Sequence, residues 1–291
     1  MKSAAPQSWF FKCALAAALC LSFYAVVSLV GPKAPRLQTS RDGAAILLDR
    51  YMNGAVPNVL VAGSSLSARL NEAYFDTPDL KVLGLAGGSA ITALEIALTR
   101  DSLPKIVLIE MNILDRGEDS ELVQKFTRSS TPAWPRPIQS AIAFYERWRH
   151  PPPDREQERS AATAMLEGPP SGFDNRTYIE RAVQALNTAP SPSLINGNLA
   201  TLKRLVEKIR ARGSRVYLYT LPLAPPVQDA RAPKAAALAA HAQFPEPQNW
   251  IPLNGSLPDL RWADGVHLDE RSAVMIARQI DGFLKGIIEG S

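Results

Sequence analysis

Hydrophobic and polar positions divide the chain into one uncharged stretch, an alternating body and an irregular interval. From Cys13 to Gly31, "CALAAALCLSFYAVVSLVG", 19 residues carry no charge. As a helix rising 1.5 Å per residue this stretch covers roughly 28 Å, close to the hydrocarbon thickness of a bilayer. A secretory signal peptide has a shorter apolar region, about 7–15 residues, followed by a small-residue cleavage site. Here "SLVGPKAPR" follows, where Pro32 suits no such site, and Leu19 before Cys20 does not suit a lipoprotein. The pattern predicts an N-terminal tail and transmembrane anchor over 1–31, then a linker and a short amphipathic helix over 32–54, the helix at "AAILLDRYM".

Beyond residue 55 apolar runs alternate with helical periodicity. "NVLVAG" (58–63), "KVLGLA" (81–86), "KIVLIEMN" (105–112) and "RVYLYTLP" (215–222) read as buried strands, with a further short strand at "NWIPLN" (249–254). Helices are expected at "SAITALEIALTRD" (89–101), at "LATLKRLVEKIRARG" (199–213) up to Gly213, around 229–243, and at "ERSAVMIARQIDGFLKGII" (270–288). Strands alternating with helices at these spacings predict an α/β domain over 55–291, a central parallel sheet covered on both faces. The regularity breaks at about 115–195, where "TPAWPRP", "RHPPPD" and "EGPPSG" mark a proline-rich insertion over one edge or over the site.

Composition changes this picture only by exclusion. The net charge is +4 and the sequence pI near 9.1. Lys and Arg are dispersed among almost as many acids, without a basic run interleaved with aromatics, so no nucleic-acid partner is expected. Both cysteines, Cys13 and Cys20, lie in the uncharged stretch, which leaves the body no disulfide framework and no thiolate metal site. His150 sits in a proline-rich linker and His241 in an alanine-rich helix, so both read as surface or core histidines. Neither a metal nor a cofactor is expected. Lys2 and Lys12 precede the anchor and Lys33, Arg36 and Arg41 follow it, so charge alone does not orient it. A lone N-terminal anchor serves to export the domain behind it, which predicts a single pass through the inner membrane with a periplasmic body.

In an open parallel sheet ligands bind beyond the carboxyl ends of the strands. Those ends carry Gly63-Ser64-Ser65, then Ala86-Gly87-Gly88-Ser89, then Glu110-Met111-Asn112, and past the last short strand "RWADGVHLDE" with Asp264 and His267. Each has a bland reading: "GSS" as a turn or phosphate-cradling loop, Gly87-Gly88 as a tight strand-to-helix turn, Asn112 as a turn closure, and Asp264 or Asp269 near the N-cap of the terminal helix. Together, in this order, they make an inventory for acyl transfer. A serine hydroxyl needs a base within hydrogen-bond reach, and histidine suits that task. A carboxylate three residues from the histidine can hold its tautomer and stabilise the cation. The amides of Ser65 and Gly87 with the Asn112 side chain offer three oxyanion donors. The spacing is neither G-x-S-x-G, because Ser67 occupies the last position, nor the dinucleotide G-x-G-x-x-G.

Four blocks in chain order resemble those of the SGNH hydrolase superfamily, the GDSL-type esterases and acyltransferases. "GSSL" (63–66) resembles the Gly-Asp-Ser-Leu block and places the nucleophile at Ser65, with Ser64 where the aspartate usually stands. "LGLAGGS" (83–89) is similar to the glycine block, with the oxyanion glycine at Gly87. Asn112 in "IEMN" takes the place of the asparagine block, and "DGVH" (264–267) that of the block carrying the catalytic Asp264 and His267. Two departures are plain: Val82 stands where the glycine block begins with asparagine, and Glu110-Met111-Asn112-Ile113 stands for Gly-x-Asn-Asp. The resemblance implies a flavodoxin-like three-layer αβα sandwich and a serine esterase or O-acetyltransferase acting through an acyl-enzyme. The substrate it implies is an acylated envelope or extracellular polysaccharide or another ester, with a membrane acyl-donor protein as a further partner. The departures leave open an alternative, a catalytically inactive anchored subunit of a polysaccharide assembly or export complex.

Overall fold

The computed structural model describes residues 5–30, 40–127, 149 and 154–289. The chain divides into two compact units, Met1–Gln38 with Ser130–Pro153, and Thr39–Ser129 with Asp154–Ser291. In the first unit the described element is helix α1, Ala5–Val30. Its window Trp9–Val26 has a mean hydropathy of 1.7, long and apolar enough to cross a membrane. Trp9, Phe10, Phe11 and Phe23 are exposed along it. The linker at 32–38, His150, the expected piece "TPAWPRP" and most of "IQSAIAFYERWRH" and "RHPPPD" lie outside the described residues.

The second unit is α/β. Its strands are β1 (Val59–Ser64), β2 (Leu80–Leu85), β3 (Ile106–Glu110) and β4 (Arg215–Tyr219), in one parallel sheet of order β2-β1-β3-β4. β1 and β3 are buried at every position, as central strands covered on both faces must be. Successive side chains leave opposite faces, and the chain supplies an apolar residue for each. Leu60, Ala62, Val107 and Ile109 enter one core, and Val59, Val61, Ile106 and Leu108 enter the other.

Helices α2 (Ser40–Asn53), α3 (Ala90–Ala97), α7 (Pro192–Ala211) and α9 (Arg231–Gln243) contribute to the first core, and α10 (Glu270–Glu289) to the second. On α7 the buried positions Ile195, Leu199, Leu202, Leu205, Val206 and Ile209 recur at three and four residues and form one stripe. Full burial of a leucine such as Leu205 contributes about 2–3 kcal/mol. Pro192 opens this helix where its missing N–H costs nothing, and Gly213, at φ 89°, follows its end. On α10 Ala273, Ile276, Ala277, Ile280 and Leu284 face the sheet, and the buried Asp281 accepts hydrogen bonds from the amides of Asp76 and Thr77, fixing the helix to the loop before β2.

Two expectations change. "NWIPLN" is not a strand: a single parallel bridge joins Leu218 to Trp250, and Leu253 then turns back to donate to the carbonyl of Ile251 at 3.0 Å. Pro252 has no N–H with which to extend a ladder. The interval 115–195 contains α4 (Ser120–Thr127), α5 (Arg155–Glu167), α6 (Arg176–Leu186) and the start of α7, which begins seven residues before the expected Leu199.

Candidate active site

β1 delivers Ser65. The strand ends at Ser64, which is buried, and the chain bends at once into a 3-10 turn at Ser67–Arg69, leaving Ser65 half-buried at the bend. Gly63 is required beneath it: a Cβ there would collide with the Ser67 hydroxyl and the Glu110 carboxylate. Ser64 pairs in register with Leu85 of β2, so Ser65 and the exposed Ala86-Gly87 follow side by side past adjacent strand ends. Gly87 has φ +76°.

His267 and Asp264 arrive from the segment before α10. A bridge between Trp262 and Leu268, with Ala263 N donating to the His267 carbonyl at 2.8 Å, closes a tight loop. Gly265 sits inside that loop at φ +86°, the left-handed region where a side chain would be strained, with Ile179 of α6 and Val227 of the short helix α8 (Pro225–Gln228) packed against it. Asp264 Oδ1 accepts from the amides of Val266 (3.0 Å) and His267 (2.7 Å). Its Oδ2 lies 2.8 Å from His267 Nδ1, and His267 Nε2 lies 2.9 Å from Ser65 Oγ. Because a carboxylate only accepts, the ring proton belongs on Nδ1, which leaves the Nε2 lone pair toward the serine hydroxyl. Partial burial pushes the Asp264 carboxyl up, but the His267 amide and ring and the Val266 amide outweigh it and hold the group below the ordinary carboxylate range.

Asp269, not Asp264, does the capping: it precedes Glu270 and accepts from the amide of Ser272 at 2.8 Å. Asn112 is engaged elsewhere as well. Its Nδ2 donates to the Leu221 carbonyl at 2.8 Å and its Oδ1 accepts from the Leu221 amide at 2.7 Å. Of its amide hydrogens one is therefore committed and one is left. His241 packs its ring against Trp250, centroids 4.1 Å apart, away from this group of residues.

Glu110, Ser67, Tyr219 and Trp262 have no role in the four sequence blocks. Glu110, 3% exposed, accepts from Ser64 N (2.8 Å), Ser64 Oγ (2.7 Å), Ser67 N (3.1 Å) and Ser67 Oγ. Tyr219 Oη lies 2.7 Å from Ser67 Oγ; burial, and after it the Glu110 carboxylate, push its phenol well above the ordinary value. A lone acid closing the wholly apolar strand "IVLIE" was the available signal, since carboxylates are seldom buried unpaired. Trp262 donates its indole N–H to the Pro222 carbonyl at 2.9 Å, and its own carbonyl accepts from Asn175. Two concavities, about 920 and 580 Å³, lie on other surfaces, the first around Asp76, Arg159 and Arg278 and the second around Tyr51 and Lys81.

No protein-family model matches the chain, and no curated protein matches it.

Proposed function

We propose that this chain is a membrane-tethered serine esterase or O-acetyltransferase of the SGNH type, built as a three-layer αβα sandwich. One observation carries the reading: Ser65, His267 and Asp264 form a continuous relay with separations of 2.9 and 2.8 Å, within the range that general-base activation of a serine requires.

In this reading Ser65 Oγ attacks the carbonyl carbon of an ester while His267 Nε2 takes its proton, and Asp264 stabilises the resulting imidazolium. The amides of Ser65 and Gly87 and the remaining Asn112 N–H bind the oxyanion. Collapse expels the alcohol, protonated by His267, and leaves an acyl group on Ser65. Water regenerates the enzyme as an esterase; a second hydroxyl does so as a transferase. Acetylated envelope glycans are the proposed substrate. Helix α1 would hold the body at the inner membrane, facing the periplasm; a C-terminal reporter active only outside the cytoplasm tests that orientation.

A second reading, an inactive anchored subunit, draws on the engagement of Asn112 with Leu221. Labelling the full chain with a fluorophosphonate probe separates the two. The esterase reading predicts a Ser65 adduct that Ser65→Ala abolishes; a folded wild-type chain that takes no label supports the inactive subunit. Glycan acetylation in a deletion strain then sorts the chemistry, since its loss marks a transferase and its gain an esterase.

A further inference from the structure

The turn from Ser64 to Ser67 contains four backbone amides, and three of them are spoken for. Ser64 N and Ser67 N donate to Glu110 Oε2 at 2.8 and 3.1 Å, and Leu66 N donates to Ser64 Oγ at 3.1 Å. The Ser64 hydroxyl is itself held by Glu110 Oε1 at 2.7 Å. The remaining amide, that of Ser65, has no acceptor among the described residues. We infer that Glu110 is a positioning residue: its carboxylate, directly and through Ser64 Oγ, engages every other backbone amide of the turn and leaves the Ser65 N–H alone for a developing oxyanion. The inference rests on the proposed function, and it concerns the donor rather than the nucleophile.

A carboxylate accepts at both oxygens, which an amide does not. Three of the donors to Glu110 converge on Oε2 and the fourth, the Ser64 hydroxyl, on Oε1, so an amide of equal size that keeps its oxygen at the first position sets an NH2 group against the Ser64 hydroxyl and turns that hydroxyl's proton away. An acid with 3% exposure is costly to bury unless its oxygens are satisfied. An apolar residue would fill the end of β3 more cheaply, but it would free the amides of Ser64 and Ser67 and let the turn relax. Tyr219 closes the far side: Ser67 Oγ donates to Glu110 and accepts from the Tyr219 hydroxyl. No hydrogen bond joins these groups to His267 or Asp264, so the base and the donor are held by separate networks.

The test measures ester turnover by the full chain in detergent, per Ser65 titrated with fluorophosphonate, for the wild type, Glu110→Gln and Ser64→Ala. Both variants are expected to lose ~10²-fold in kcat, the effect of one misplaced oxyanion donor, with KM changed less than about 3-fold. The pH profile stays where it was, because the His267–Asp264 pair is untouched. A purely structural role for Glu110 would lower melting temperature and the titrated fraction but not kcat per titrated site. Ser64→Ala keeps the carboxylate and both of its backbone bonds, so it carries the test if Glu110→Gln fails to fold. Folded variants with kcat within about 3-fold of a wild type that labels and turns over overturn the inference alone. A wild type that takes no label removes the esterase reading, and the inference with it.

Discussion

Replacing Asp264 by asparagine separates the two jobs of this side chain. Oδ1, which accepts from the amides of Val266 and His267, has a counterpart in asparagine, so the bonds that shape the loop survive. Those bonds are worth about 1 kcal/mol each, and the fold should lose little. Oδ2, 2.8 Å from His267 Nδ1, becomes an NH2 group. A donor there drives the ring proton to Nε2, which then points a hydrogen at Ser65 Oγ instead of a lone pair, and the imidazolium loses its counter-charge. Loss of the orienting carboxylate from a serine–histidine pair costs ~10⁴ in kcat, about 5 kcal/mol of transition-state stabilisation. Turnover of an activated acetyl ester by the full chain, with a thermal melt beside it, reads both quantities. A folded Asp264→Asn protein with kcat within about 10-fold of wild type would refute the reasoning.

Gly63→Ala pushes a methyl into the Ser67 hydroxyl and the Glu110 carboxylate, so urea denaturation should show a loss of about 1–3 kcal/mol; unchanged stability would mean the turn has room that its contacts deny. Asp76 is pushed up by partial burial, but Arg278 and Arg159 together outweigh this and hold it below the ordinary carboxylate range. Asp264 is depressed too. A carboxyl depressed in the folded state contributes stability above its unfolded value and loses it as pH falls through the folded one. Melting temperature should therefore drop as pH falls below about 4, and Asp76→Asn should be less stable at neutral pH and show a shallower drop. An equal drop in that variant would contradict the assignment.

What the sequence made legible was local or periodic. Strands β1 to β4 are short, mostly apolar runs, and their ends fall within two or three residues of those read from the pattern. The pairing of Asp264 with His267 follows from their three-residue spacing and the glycine between them. The links that fix the turn at Ser65 were not legible, because they join residues far apart in the chain. Glu110 meets Ser64 and Ser67 across 46 and 43 positions, Ser67 meets Tyr219 across 152, and Asn112 meets Leu221 across 109. Such contacts are set by strand register, in which Glu110 lies opposite Tyr219. The strand expected at 249–254 failed for the opposite reason: its apolar pattern is right, but a proline and a backward turn end the pairing after one bridge.

The most direct measurement is to trap the acyl-enzyme. The full chain is mixed with an excess of an acetyl ester, quenched in acid, digested and sequenced by mass spectrometry. The account predicts one acetyl group on Ser65, absent in Ser65→Ala and present in the quenched wild type alongside a burst of released alcohol equal to the enzyme. An unmodified Ser65 in a chain that turns the ester over, or an acetyl group on another residue, would contradict it.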